Sequence, residues 1–187
     1  MRTLATIFFT SLATTLLLAA LSAGAFVYVV GGYFVDLALA RGSGGDPQAP
    51  PVIAASLSDP NVHLPEKPEA QSEDWTLYSF DGLRLAATHF SPDARSHRWV
   101  VLLHGYGRSQ ADTWDYAEAY IAHGYHVLTP DLRTSGKSEG KYVTMGTLES
   151  RDVCTWLSRI AEVDTAARVV LHGVSMGAAT ALLAAGR

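Results

Sequence analysis

Five consecutive residues, Gly173-Val174-Ser175-Met176-Gly177, set a hydroxyl between two glycines in the pattern G-x-S-x-G. A serine placed there does chemistry when the backbone bends so sharply that Oγ is pushed out of the chain toward a substrate. The flanking positions must then carry no side chain, because the turn brings backbone against backbone. The chemistry implied is nucleophilic attack on an acyl carbonyl, with Ser175 forming an acyl-enzyme. Such an attack leaves a negative charge on oxygen, which needs two N–H donors aimed at it. The residue after the nucleophile, Met176, supplies one backbone N–H. The other is expected from a loop after an earlier strand. His104-Gly105-Tyr106-Gly107 follows such a strand, and Tyr106 is the candidate donor. His104 and His172 stand beside these motifs. A bracing role by hydrogen bonds is expected for His104, and a packed, satisfied imidazole for His172.

These motifs need elements to hold them. Trp99 to Leu103 (Trp-Val-Val-Leu-Leu) reads as a strand buried on both faces. Arg168 to Leu171 reads the same way, and a small-residue helix opens at Ser175. The motif therefore sits in a strand–turn–helix context. Upstream, Trp75 to Phe80 and Leu83 to Phe90 read as two strands joined by the hairpin signal Asp81-Gly82. Thr113 to His123 and Leu148 to Ile160 have apolar residues at helical spacing, and Tyr125 to Thr129 is a strand stopped by Pro130. Alternating strands and helices imply an α/β class with a mainly parallel sheet and helices on both faces. Cys154, the single cysteine, falls on the half-buried face of the second helix. It allows no internal disulfide and no cysteine-based zinc site. Gly136-Lys137-Ser138 invites a phosphate-loop reading, but that motif needs glycine where Asp131 stands.

The first forty residues differ from the rest. Leu4 to Val30 carries no charge and exceeds the roughly 20 apolar residues that cross a bilayer as a helix. Ala38-Leu39-Ala40 resembles a signal-peptidase site, yet a signal h-region spans only about 7–15 residues. Residues 1–40 are therefore read as an uncleaved transmembrane anchor contacting the membrane through residues 4–30. Arg2 before the run weakly favours a single pass with the following domain outside the cytoplasm. Residues 41–72 hold six of the eight prolines and Gly42-Ser43-Gly44-Gly45, the composition of a spacer. Residues 73–187 form the α/β domain. A net charge of −4 and a pI near 5.9 give no basic face for a nucleic-acid partner.

Together, His104-Gly105-Tyr106-Gly107, Asp131-Leu132-Arg133 with Gly136-Lys137-Ser138-Glu139-Gly140, and Leu171-His172-Gly173-Val174-Ser175-Met176-Gly177 resemble the α/β-hydrolase superfamily. Their order is similar to a bacterial branch with an N-terminal membrane segment, akin to serine aminopeptidases and esterases. The resemblance implies a serine hydrolase cleaving an ester, thioester or amide bond in a small-molecule or peptide acyl substrate. It implies Ser175 as nucleophile, Tyr106 and Met176 as oxyanion donors, and neither cofactor nor metal. The superfamily orders its triad as nucleophile, acid, then histidine. The residues after Ser175 contain no Asp, Glu or His, and all seven histidines lie before it. The expectation is an α/β-hydrolase sheet truncated after the nucleophile elbow, the N-terminal portion of a longer protein, inactive by itself. The alternative is a non-catalytic, membrane-tethered binding protein of the same fold.

Overall fold

The computed structural model describes residues 2–41, 65–92 and 95–187, so most of the expected spacer, residues 42–64, lies outside the described residues. The chain divides into two compact units, Met1–Leu37 and Ala38–Arg187.

The described residues of the first unit are helical. Helix α1 (Arg2–Leu39) includes a 30-residue apolar stretch, Thr10–Leu39, with none of its side chains buried. Thirty residues rise about 45 Å, more than the hydrocarbon thickness of a bilayer. Two of its hydroxyls are satisfied within the helix. Thr14 Oγ1 donates to the Thr10 carbonyl at 2.6 Å and Thr15 Oγ1 to the Ser11 carbonyl at 2.9 Å. That is how polar side chains persist on an apolar helix.

The second unit is built on β1 (Ser72–Tyr78), β2 (Arg84–Phe90), β3 (Arg98–Leu103), β4 (His126–Pro130) and β5 (Arg168–Gly173). Helices α2 (Trp114–Ala122), α3 (Glu149–Val163) and α4 (Met176–Ala185) connect or follow them, with a 3₁₀ turn at Gln110–Thr113. The sheet order is β1-β2-β4-β3-β5. β2 runs antiparallel to both its neighbours, while β4, β3 and β5 are parallel. The sheet is thus mixed, with its hairpin at one side and the parallel strands carrying the chemistry-bearing turns.

Strand alternation distributes the apolar run of β3 between two cores. Trp99, Val101 and Leu103 point into a cluster with Val153, Trp156 and Ile160 of α3 and Met176, Ala181 and Ala184 of α4. Val100 and Leu102 point the other way, onto Phe90, Val127 and Ala117 of α2. Helices therefore cover both faces, which is why β3 reads as an unbroken apolar run.

β5 departs from its sequence reading. Arg168 to Leu171 was expected to be buried, yet Val169 and Val170 are 36% and 43% exposed. The reason is position: β5 pairs with β3 on one side and is the edge strand among the described residues. Apolar composition alone cannot distinguish a central strand from an edge. Leu182 and Leu183 on α4 are exposed at the same side.

The loop after β4 is fastened by buried charge. The Arg133 guanidinium makes two 2.7 Å bonds to the Asp152 carboxylate on α3. It also donates to Asp81 of the β1–β2 turn at 3.0 and 3.2 Å. Burial lowers the guanidinium pKa, and the bonds to Asp152 and Asp81 more than reverse that, so it sits above its ordinary range. Hydrogen bonds from Arg133 hold the Asp81 carboxyl below the usual range. Burial instead raises Asp152, but two short N–H donors facing one carboxylate keep the pair ionic.

Three imidazoles are held below their ordinary range, chiefly by burial: His89, His104 and His126. The unfolded chain protonates these groups near pH 6.5 while the fold still keeps them neutral. Their contribution is fully present above that value and declines as pH falls from it toward the folded pKa values. Urea denaturation of the detergent-solubilised chain, followed by tryptophan fluorescence, is expected to show a lower midpoint at pH 5.5 than at 7.5. Equal midpoints would contradict this account.

Candidate active site

The site is assembled by strand register. Leu103 pairs with Gly173 across the parallel β3–β5 ladder, so both strands end at the same level. The Val174 N–H then donates to the Leu103 carbonyl at 3.0 Å. The loop from His104 and the turn at Ser175 are therefore neighbours at the carboxyl end of the sheet, where open α/β sheets place their ligands.

Ser175 lies between β5 and α4 at φ +54°, ψ −118°, a conformation that costs a non-glycine residue on the order of 1–3 kcal/mol. Its neighbours show what maintains it. A Cβ on Gly177 would lie 2.1 Å from the Leu103 carbonyl oxygen, and one on Gly173 would lie 2.2 Å from the Gly177 carbonyl carbon. Both contacts are with backbone, which cannot rotate away. The Ser175 side chain is exposed and its Oγ makes no hydrogen bond among the described residues. The amino terminus of α4 directs its positive end toward it.

The loop after β3 comes equally close. A Cβ on Gly105 would touch Ser175 Cβ at 3.5 Å. The backbone N–H groups of Tyr106 and Met176 donate to no other group among the described residues, so both are available to a bound oxygen. His104 braces this loop, as its sequence context suggests. It is 1% exposed, with Nδ1 donating to the Gly105 carbonyl at 2.8 Å and Nε2 accepting the Leu132 N–H at 3.0 Å. Accepting a backbone N–H fixes the neutral tautomer, and burial pushes the imidazole pKa down. With both nitrogens engaged, His104 has none to offer Ser175.

His172 differs from expectation. Its ring packs against Tyr116 and Tyr120 at 5.0 and 5.8 Å between centroids, but its buried Nδ1 has no partner. The apolar face of α2 supplies aromatic edges there and no acceptor.

Asp131 explains the Gly136-Lys137-Ser138 stretch. Its carboxylate accepts N–H bonds from Gln110 N (2.8 Å), Gln110 Nε2 (3.1 Å) and Lys137 N (2.9 Å). The Lys137 N–H of that stretch is thus turned to an internal carboxylate. Gly136, at φ +48°, has no room for a Cβ, which would fall 2.2 Å from the Asp131 carboxyl. Asp131 thereby ties the loop after β4 to the 3₁₀ turn flanking Ser175.

A cavity of about 280 Å³ opens over the serine, lined by Gly105, Tyr106, Arg108, Asp112, Tyr116 and Ser175 among others. Arg108, Asp112 and Tyr116 were not singled out from the sequence. The signal for Arg108 was its place immediately after the glycine-rich loop. No group of three or more His, Cys, Asp or Glu able to hold a metal ion occurs among the described residues.

Residues 100–187 match the model of the alpha/beta hydrolase family. These residues resemble that family, and the domain has the α/β-hydrolase fold. The esterase Pf2001 of Pyrococcus furiosus superposes with a TM-score of 0.56 at 26% identity, over 64% of this chain and 51% of that one. The Xanthomonas campestris protein XC6422, an α/β serine hydrolase without a lid, gives 0.56 at 23% identity over 65% and 58%, a likeness of fold. The uncharacterized protein YqkD of Bacillus subtilis strain 168 is 30% identical over 110 residues, 58% of this chain and 34% of that protein. The chain spans about half the length of the esterase and a third of YqkD.

In this hydrolase-fold domain, Gly177→Ala must displace the Leu103 backbone. A loss of roughly 2–3 kcal/mol of stability is expected, read as a lower urea midpoint. An unchanged midpoint would mean the close approach is not what the elbow depends on.

Proposed function

We propose that this chain supplies the nucleophile and oxyanion hole of a membrane-anchored serine hydrolase. The observation that carries the reading is Ser175 itself. It is an exposed hydroxyl at positive φ, at the mouth of a cavity and beside two unpartnered N–H groups. In this mechanism Ser175 Oγ attacks the carbonyl carbon of an ester, thioester or amide. Its proton passes to a histidine, and the backbone N–H groups of Tyr106 and Met176 hold the oxyanion. Collapse of the tetrahedral intermediate expels the leaving group, which takes that proton. Water then cleaves the acyl-enzyme and regenerates the serine.

His104 is neutral and engaged at both nitrogens. The proposal therefore assigns the base and its carboxylate partner to a further segment of the hydrolase domain. These 187 residues alone are expected to turn over no substrate. The reaction as written requires no cofactor.

The absence of a hydrogen bond to Ser175 Oγ among the described residues also favours a second reading, a non-catalytic tethered binding protein. A fluorophosphonate probe separates the two. Labelling of the full-length protein at Ser175, lost in Ser175→Ala, is expected. A folded full-length protein that does not label would overturn the hydrolase reading in favour of the binding protein.

The apolar helix supports a single-pass anchor, and Arg2 before it favours a domain outside the cytoplasm. A periplasm-dependent alkaline phosphatase fused after Arg187 is expected to be active. An inactive but expressed fusion, with a cytoplasmic reporter active at the same junction, would reverse the orientation.

A further inference from the structure

The turn after β3 brings a cation into the lining of the cavity that Ser175 opens on. Gly107 takes φ +66° and the Arg108 N–H donates to the Gly105 carbonyl at 3.3 Å. The point where a Gly105 Cβ would sit is 3.5 Å from Ser175 Cβ and 3.9 Å from Arg108 Cγ. The Arg108 stem therefore passes Gly105, which itself lies against Ser175, and Arg108 lines the same cavity as the serine.

The charge balance of that cavity is uneven. Its charged lining residues are Arg108 and Asp112, since the buried His104 is neutral. Asp112 is largely committed to the 3₁₀ turn, where Oδ2 accepts the Ser109 N–H at 2.9 Å and its hydroxyl at 3.4 Å. Only Oδ1 faces Arg108, touching Nη1 at 3.4 Å. One long contact orients the guanidinium and leaves its other N–H groups without partners among the described residues. The Arg108 side chain is 38% exposed, so those N–H groups are accessible to a ligand. A guanidinium edge presents two parallel donors, the match for two oxygens of one carboxylate or phosphate.

We propose that Arg108 is a substrate-recognition residue, and that the cavity over Ser175 selects acyl substrates bearing an anionic group, carboxylate or phosphate, separated from the scissile carbonyl by a short spacer. This rests on the reading of Ser175 as nucleophile. An Arg108–Asp112 pair that merely stabilises the turn would contribute little to stability and would confer no preference among substrates.

The test compares mono-p-nitrophenyl adipate and suberate with their methyl-capped diesters on the full-length protein, by p-nitrophenol release. The acids are expected to show the higher kcat/KM, by about ten- to a hundredfold, with the ratio shrinking as salt rises. Arg108→Gln is expected to bring the ratio near unity. Arg108→Lys, which keeps the charge but loses the fork, is expected to fall between. Arg159→Gln, on the exposed surface of α3, is expected to keep the wild-type ratio. A wild-type ratio near unity, or one unmoved by both Arg108 variants, would overturn the inference while fluorophosphonate labelling of Ser175 left the nucleophile standing. Absence of labelling together with hydrolysis of neither ester would overturn the Ser175 reading instead.

Discussion

The contact between Gly177 and the backbone of Leu103 is the constraint on which the site depends. With no side chain between them, the first turn of α4 rests directly on the carboxyl end of β3. That closeness lets β5 turn into α4 within two residues, and it holds Ser175 at positive φ. The same closeness sets the glycine-bearing loop after β3 against the serine. Any side chain at 177 would push helix and strand apart and move the serine away from both candidate oxyanion donors.

Around that contact the domain spends its buried polar groups on holding loops. His104 links the loop after β3 to Leu132, Asp131 links the loop after β4 to Gln110, and Arg133 links it to α3 and the β1–β2 turn. Each anchor is nearly inaccessible to solvent. Buried charge is a poor source of net stability, but removing one partner is costly. Such a network therefore suits a role in fixing geometry. Its effect is to give three loops at one end of the sheet a single arrangement while the serine stays exposed.

The two edges of the sheet differ in character. On the hairpin side, β1 shields β2 and has polar residues facing outward. On the other side, β5 and α4 present Val169, Val170, Leu182 and Leu183 to solvent. Apolar side chains beside an open ladder make an adhesive surface, and among the described residues that flank is the one beside Ser175.

The sequence by itself determined the fold class, the element order and the turn at Ser175. These follow from local rules: two-residue alternation, helical spacing, and glycines where a backbone must bend. Its strand and helix limits differ from the structure by one to three residues at most ends, where fraying and turn chemistry compete. Asp131 in place of a phosphate-loop glycine was also legible, because one side chain decides that reading. Only the tertiary structure decided which strands pair. It made β5 an edge, set Leu103 opposite Gly173, and left His172 Nδ1 unpartnered. It also brought Arg108, Asp112 and Tyr116 over Ser175, although 59 to 67 positions separate them in the chain. Register and sheet order are properties of long-range packing, and no local pattern of residue types encodes which distant groups will share one cavity.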